Sequence, residues 1–222
     1  MIIVHHLENS RSQRVLWLLE ELGVSYDVKR YERDKKTNLA PDALRKVHPL
    51  GKSPVIENDG GVYAETGAMF EYILDHYGDG RLRPARGTDA FEKHRYWMHA
   101  AEGSYMPPMV MTLLLNKMET APMPFFARPI AKRLVKGVRD GYLDQTAKVL
   151  FDYLENALSA TGWLAGDDIT AADINMSFPM EAFAARGDVS AYPNIASTVE
   201  RFQARPAYIR ALERGGPYAL MR

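Results

Sequence analysis

The chain changes grammar once, at "GDGRLRPARG" (Gly78–Gly87), and that change bounds what it can fold into. Before it, strand-like and helix-like runs take turns. "IIVHH" (Ile2–His6) reads as a buried strand, and "SQRVLWLLEEL" as a helix ended by Gly23. "SYDVKRYE" (Ser25–Glu32) alternates like a second strand and completes a β-α-β unit. "PDALRKVHPLG" predicts a short helix broken at Pro49, and "SPVIE" and "GVYAE" a hairpin, because the "NDGG" between them suits tight turns. "TGAMFEYILDHY" is then a helix stopped at Gly78, so the order is β-α-β-α-β-β-α. After the glycine-, arginine- and proline-rich stretch every segment reads as helix. One runs from Thr88 to about Lys117 and another from Pro124 to about Leu158, and "TAADINMSFPMEAFAA", "YPNIASTVERFQA" and "PAYIRALER" follow. The spacing predicts an α/β domain over 1–80, a linker at 81–87 and an all-helical domain over 88–222.

Composition narrows the function. Lys plus Arg and Asp plus Glu stand at 28 each among 222 residues, so no net charge favours nucleic acid or an anionic membrane. The opening "MIIVHHLENSR" lacks the pattern of a signal peptide, and no run approaches a membrane span, so a cytoplasmic protein is expected. Cysteine is absent, which excludes disulfides, thiolate metal sites and a cysteine nucleophile. No metal is expected, and any sulfur chemistry needs sulfur that arrives with a ligand.

"LENSRSQR" (Leu7–Arg14) holds three small polar side chains and two arginines where a helix cap needs one residue. Pro54 opens a strand straight after "GKS". A proline at a strand start is ordinary, and a cis Ser53–Pro54 bond is the rarer alternative. Taken as a whole, "HPLGKSPVIENDGGVYAETGAMFEYI" resembles the glutathione-binding core of the cytosolic glutathione transferases. His48 replaces an Asn of the family pattern, Pro49, Gly51, Pro54 and Glu65 match, and Thr66 keeps the hydroxyl of a Ser. "GWLAGDDITAADI" is similar to the family's capping motif in the second domain, with Thr170 and Asp173 forming the box and Ile169 and Ile174 placed as a hydrophobic staple. Within the family the chain looks closest to a serine-using, theta-like bacterial and fungal branch.

The resemblance implies a thioredoxin-like first domain, a helical second domain, glutathione as co-substrate and a homodimer. A thiol with a pKa near 8.5 is mostly protonated at neutral pH, and the thiolate is the nucleophile. A hydroxyl donating to S⁻ at a helix N-terminus stabilises that anion. By resemblance Ser10 is the catalytic residue, with Asn9 next and His6 behind them. Ser12 reads as a cap and Arg11 as a source of positive potential. The resemblance gives the main chain of Ser53, before Pro54, to the cysteinyl unit, Glu65 and Thr66 to the γ-glutamyl end, and Lys52 to a carboxylate or carbonyl of the tripeptide. Lys36 and Asn38 are further candidates for the glycyl end. Tyr105, Met106 and Met109, beside a Pro107–Pro108 kink, are the candidates for an electrophile pocket. Gly67 stands where the family often has an intersubunit arginine, which shifts the expected dimer contact to Met69, Phe70 and the first helices of the second domain. The expected activity is transfer of glutathione to an apolar electrophile, with organic hydroperoxide reduction beside it. A glutathione-dependent isomerase or dehalogenase, and a non-catalytic binding or scaffold protein of the same fold, stay open as alternatives. The missing cysteine argues against the thiol-bearing members of the family.

Overall fold

The computed structural model describes residues 1–185 and 189–219. Residues 186–188 and 220–222 of the expected helical domain lie outside the described residues. Four strands form one sheet in the order β2-β1-β3-β4: β1 (Ile2–Leu7), β2 (Tyr26–Tyr31), β3 (Val55–Asn58) and β4 (Gly61–Ala64). β1 runs parallel to β2 and antiparallel to β3, and β3 pairs with β4 as a hairpin. α1 (Gln13–Leu22) is the crossover between β1 and β2, and α2 (Thr66–Tyr77) follows the hairpin. This is the thioredoxin-like arrangement. The short helix expected in "PDALRKVHPLG" is a 3₁₀ turn, Asp42–Lys46, with one buried anchor, Leu44. One buried apolar side chain cannot hold a longer amphipathic helix against a core.

The second domain is helical: α3 (Asp89–Ala100), α4 (Met106–Thr120), α5 (Arg128–Val138), α6 (Asp144–Leu158), α7 (Ala171–Ala184), α8 (Pro193–Gln203) and α9 (Pro206–Gly215). The two long helices expected here are each interrupted by a π-helical turn, at Ala101–Tyr105 and Arg139–Leu143. In the first, the Met106 N–H donates to the Ala101 carbonyl, and Pro107 and Pro108 follow at once without N–H groups of their own. The second turn carries Gly141, a weak helix former.

α1 is the pivot of the molecule. Eight of its ten residues are buried, because it packs against the sheet and α2 on one side and against α7 and α9 on the other. A helix buried on most of its faces must be largely apolar, and "VLWLL" supplies that, while Glu20 and Glu21 pair with Arg210 and Arg205. Trp17 meets Phe202 and Tyr208 of the helical domain at 5.3 and 5.2 Å between ring centroids. At Gly215 a Cβ atom would come within 2.8 Å of Gln13 Oε1 and 3.3 Å of His6, so only glycine lets α9 approach this closely. At the head of α7, Thr170 and Asp173 form the predicted capping box. Asp173 also accepts the Leu164 N–H at 2.8 Å, which ties the preceding loop to the helix.

Candidate active site

β1 ends at Leu7, and Asn9 turns the chain with φ 47°, a left-handed conformation that asparagine tolerates. The Asn9 side-chain oxygen accepts the Ala219 N–H at 2.7 Å, so this amide holds the end of the described chain. Ser10 follows, buried, immediately before α1. Its Oγ accepts the Ser12 N–H at 3.3 Å and lies 2.7 Å from the Ser12 Oγ. A hydroxyl that accepts from a backbone N–H keeps its own proton to give elsewhere. Ser10 therefore braces the N-cap residue Ser12, and its own proton is free for a ligand when Ser12 supplies the hydrogen shared between the two hydroxyls. Ser12 Oγ lies 2.9 Å from His6 Nδ1. Burial, aided by the charge of Arg30, pushes the His6 ring down to about 4, so it is neutral near pH 7.

A groove partly open to solvent, with a cavity of about 110 Å³, lies beside this turn. The structure brings Lys52, Ser53, Pro54, Glu65 and Thr66 onto its walls together, and Arg11, His48, Leu50 and Glu102 complete them. Ser10 is one residue from the Arg11 wall and does not itself line the groove. The Ser53–Pro54 peptide is cis. The Ser53 hydroxyl donates to the His5 carbonyl at 2.8 Å and accepts the Leu7 N–H at 3.2 Å, fastening the groove floor to β1. Glu65 adopts φ 68°, ψ 119°, a region that costs a non-glycine residue energy and recurs at functional sites. Thr66 is the first residue of α2, where the N–H groups of a helix lack intrahelical partners. Lys36 and Asn38 sit in a turn organised by Asp34 and are not among the groove walls.

Two charged residues to which sequence reasoning assigned no role of their own organise the site. Arg14 is buried, and its guanidinium donates to the Asn175 carbonyl at 2.7 Å, to Asn175 Oδ1 at 2.8 Å, to Glu102 at 2.5 Å and to Thr66 Oγ1 at 3.4 Å. Glu102 is shared with Arg11 through its second oxygen. Burial pushes the Glu102 carboxyl up, but the two guanidiniums outweigh it and hold the group below the usual range. The result is a fixed ionic bracket joining α1, α2, α7 and the first π turn at one wall of the groove. The signal was present in the sequence: a helix as apolar as α1 buries whatever cation it carries, and a buried cation needs a carboxylate.

Tyr105, Met106 and Met109 do not line the groove. They are buried in the helical core, where Tyr105 packs edge-on to Phe151 and donates its hydroxyl to the Leu150 carbonyl at 2.7 Å. The π turn carries the helix on through the prolines, and the three side chains are buried rather than facing the groove. Met69 and Phe70 are also wholly buried within this chain, so their side chains offer no surface for the dimer contact the sequence suggested. No cluster of potential metal ligands occurs among the described residues.

Comparison with known proteins agrees with this geometry. The family model for the glutathione S-transferase N-terminal domain matches residues 1–75, and a model for the C-terminal domain matches residues 123–211. Glutathione S-transferase 3 of Schizosaccharomyces pombe is 37% identical over 217 residues, which cover 96% of this chain and 88% of that protein. A glutathione S-transferase from Actinobacillus pleuropneumoniae superposes with a TM-score of 0.81 at 32% identity, covering 97% of this chain and 93% of its own. A glutathione transferase of Phanerochaete chrysosporium, solved with oxidized glutathione, shares the fold at a TM-score of 0.74 and 23% identity, covering 96% and 94% of the two chains.

Proposed function

The chain belongs to the glutathione S-transferase family, and on that premise we propose that it binds glutathione in the groove and activates its thiol with Ser10 for attack on an apolar electrophile. The observation that carries this reading is the Ser10 hydroxyl: it lies in the turn leading into α1, accepts the Ser12 N–H, has one proton that either Ser12 or a bound sulfur can take, and stands one residue from the groove wall. In the proposed complex the main chain of Ser53 pairs with the cysteinyl unit. The γ-glutamyl carboxylate sits on the N-terminus of α2 at Thr66, with its ammonium at Glu65, and Lys52 faces the other carboxylate. The Ser10 proton then points at sulfur. One charge-assisted hydrogen bond at a helix end is worth about 1.5–3 kcal/mol, or roughly one to two pKa units off the thiol. Attack forms a C–S bond as the leaving group departs. With an organic hydroperoxide the same thiolate takes the terminal oxygen, releasing an alcohol, and a second glutathione converts the sulfenate to disulfide and water.

A homodimer fits the surface. Phe126, Ile130, Leu134, Val138 and Tyr142 are exposed at intervals of four along α5 and its flanks. Val110 and Leu114 are exposed on the neighbouring α4, and exposed Tyr96 and Tyr153 meet edge-on at 5.9 Å. An apolar face of this extent marks a partner surface, and we assign it to a second copy of the chain. Among the described residues no helix is long and apolar enough to cross a membrane; we place the reaction in the cytoplasm, where glutathione is kept reduced.

The test is retention on immobilised glutathione followed by conjugation of chlorodinitrobenzene. Wild type is retained and active, and Ser10→Ala is retained but about 100-fold slower. Failure of wild type to be retained overturns glutathione binding. Full activity in Ser10→Ala moves catalysis to another group.

A further inference from the structure

Ser10 has one proton, and its neighbours decide which way that proton points. Its Oγ is 2.7 Å from Ser12 Oγ, and Ser12 Oγ is 2.9 Å from His6 Nδ1. All three groups are buried, and among the described residues the only other acceptor within reach of the Ser12 hydroxyl is the Leu7 carbonyl at 3.4 Å. Each close pair in this row must share one hydrogen, since two lone pairs at 2.7–2.9 Å repel. If Ser10 gives its proton to Ser12, it has none for a thiolate. If Ser10 donates to sulfur, Ser12 must donate to Ser10, and His6 must then donate to Ser12 from Nδ1.

We propose that His6 and Ser12 are positioning residues for thiolate formation: in the thiolate complex the ring proton sits on Nδ1, and the donors run His6 to Ser12 to Ser10 to sulfur. The inference rests on the assignment of Ser10 to the sulfur. The ring acts as a neutral donor, in keeping with its depressed pKa, and takes no proton from the thiol. Its competing partner is the Gly215 carbonyl, which α9 brings against the same ring. A neutral imidazole has one N–H, so the Gly215 carbonyl and Ser12 draw on a single proton, and a bound thiolate selects the Ser12 arrangement. A row of aligned donors also polarises its last member, so Ser10 donates more strongly than an isolated serine.

The decisive experiment is nitrogen-15 NMR of the histidine rings in the enzyme saturated with glutathione, at a pH where the bound thiol is ionised. The expected pattern for His6 is a protonated Nδ1 and an unprotonated Nε2; the reverse pattern overturns the proposal. A second readout is the pKa of the bound thiol, followed by its ultraviolet thiolate band. Ser12→Ala raises it by about half a unit and Ser12→Thr restores it. His6→Asn, whose amide offers a donor near the place of Nδ1–H, holds the pKa closer to wild type than His6→Leu does. An unchanged pKa in both Ser12→Ala and His6→Leu overturns the relay. These outcomes separate from failure of the underlying assignment: if Ser10→Ala itself leaves the thiol pKa at the wild-type value, Ser10 does not touch sulfur. If Ser10→Ala raises it while His6 carries its proton on Nε2, the relay alone is wrong.

Discussion

Replacing Arg14 by methionine removes the ion that fastens the two domains beside the groove, and its cost can be worked from the contacts. The guanidinium gives five hydrogen bonds, two of them to the carbonyl and side-chain oxygens of Asn175, a fully buried residue. Stranding a buried acceptor costs about 1–3 kcal/mol each. Glu102 is not stranded outright, because Arg11 still holds its other oxygen at a half-exposed position. Methionine keeps the packing of the aliphatic stem, so little is added for a cavity. The total is about 3–5 kcal/mol, the range for breaking one side of a buried ion pair. Equilibrium urea unfolding, read by the fluorescence of buried Trp17, Trp97 and Trp163, measures it. A cycle with Glu102→Gln gives a coupling of at least ~1 kcal/mol between the two positions. Thr66 and one groove wall lose their support together, so KM for glutathione rises in the same variant. A loss below about 1 kcal/mol, or no coupling to Glu102, would refute the bracket.

Two further outcomes follow from burial and exposure. Burial, with Arg83 nearby, pushes His94 down to about 4 from an ordinary 6.5, so below neutrality the unfolded chain binds a proton the folded chain refuses. Stability from this group is intact above pH 6.5 and is lost as pH falls toward 4; His94→Gln should lose about 2 kcal/mol less than wild type between pH 7 and pH 5 in urea titrations, and an identical pH dependence would contradict the assignment. Leu134→Asp, at the centre of the exposed stripe on α5, should convert a dimer into monomers by sedimentation without changing the far-ultraviolet helix signal, whereas a persisting dimer would place the interface elsewhere.

The architecture was legible because it is written in local periodicity. The alternation before Gly78 and the helical spacing after Gly87 correspond to the sheet and the bundle, and Thr170 and Asp173 announced the cap of α7 at a fixed interval. Lys52 to Pro54 and Glu65 to Thr66 were picked out by the family resemblance alone, and the hairpin brings these two short stretches onto the walls of one groove. What escaped was long-range. Glu102 meets Arg14 across 88 residues, and nothing local in "AAEGSYM" marks it as a wall of the site. The prolines at 107 and 108 were read as a kink that opens a pocket, but a single π turn absorbs them and leaves Tyr105, Met106 and Met109 in the core. Asn9 stood beside Ser10 in sequence as the second candidate donor. Its left-handed backbone aims the amide at Ala219, a partner 210 residues away.

The account turns on one quantity, the pKa of the glutathione thiol in the binary complex. In wild type it should lie about one to two units below the free value near 8.5, and in Ser10→Ala it should return most of the way to that value. Asn9→Ala, whose side chain accepts the Ala219 N–H, should leave it where wild type has it. A bound thiol that titrates at the same depressed pH with and without the Ser10 hydroxyl would contradict the central claim.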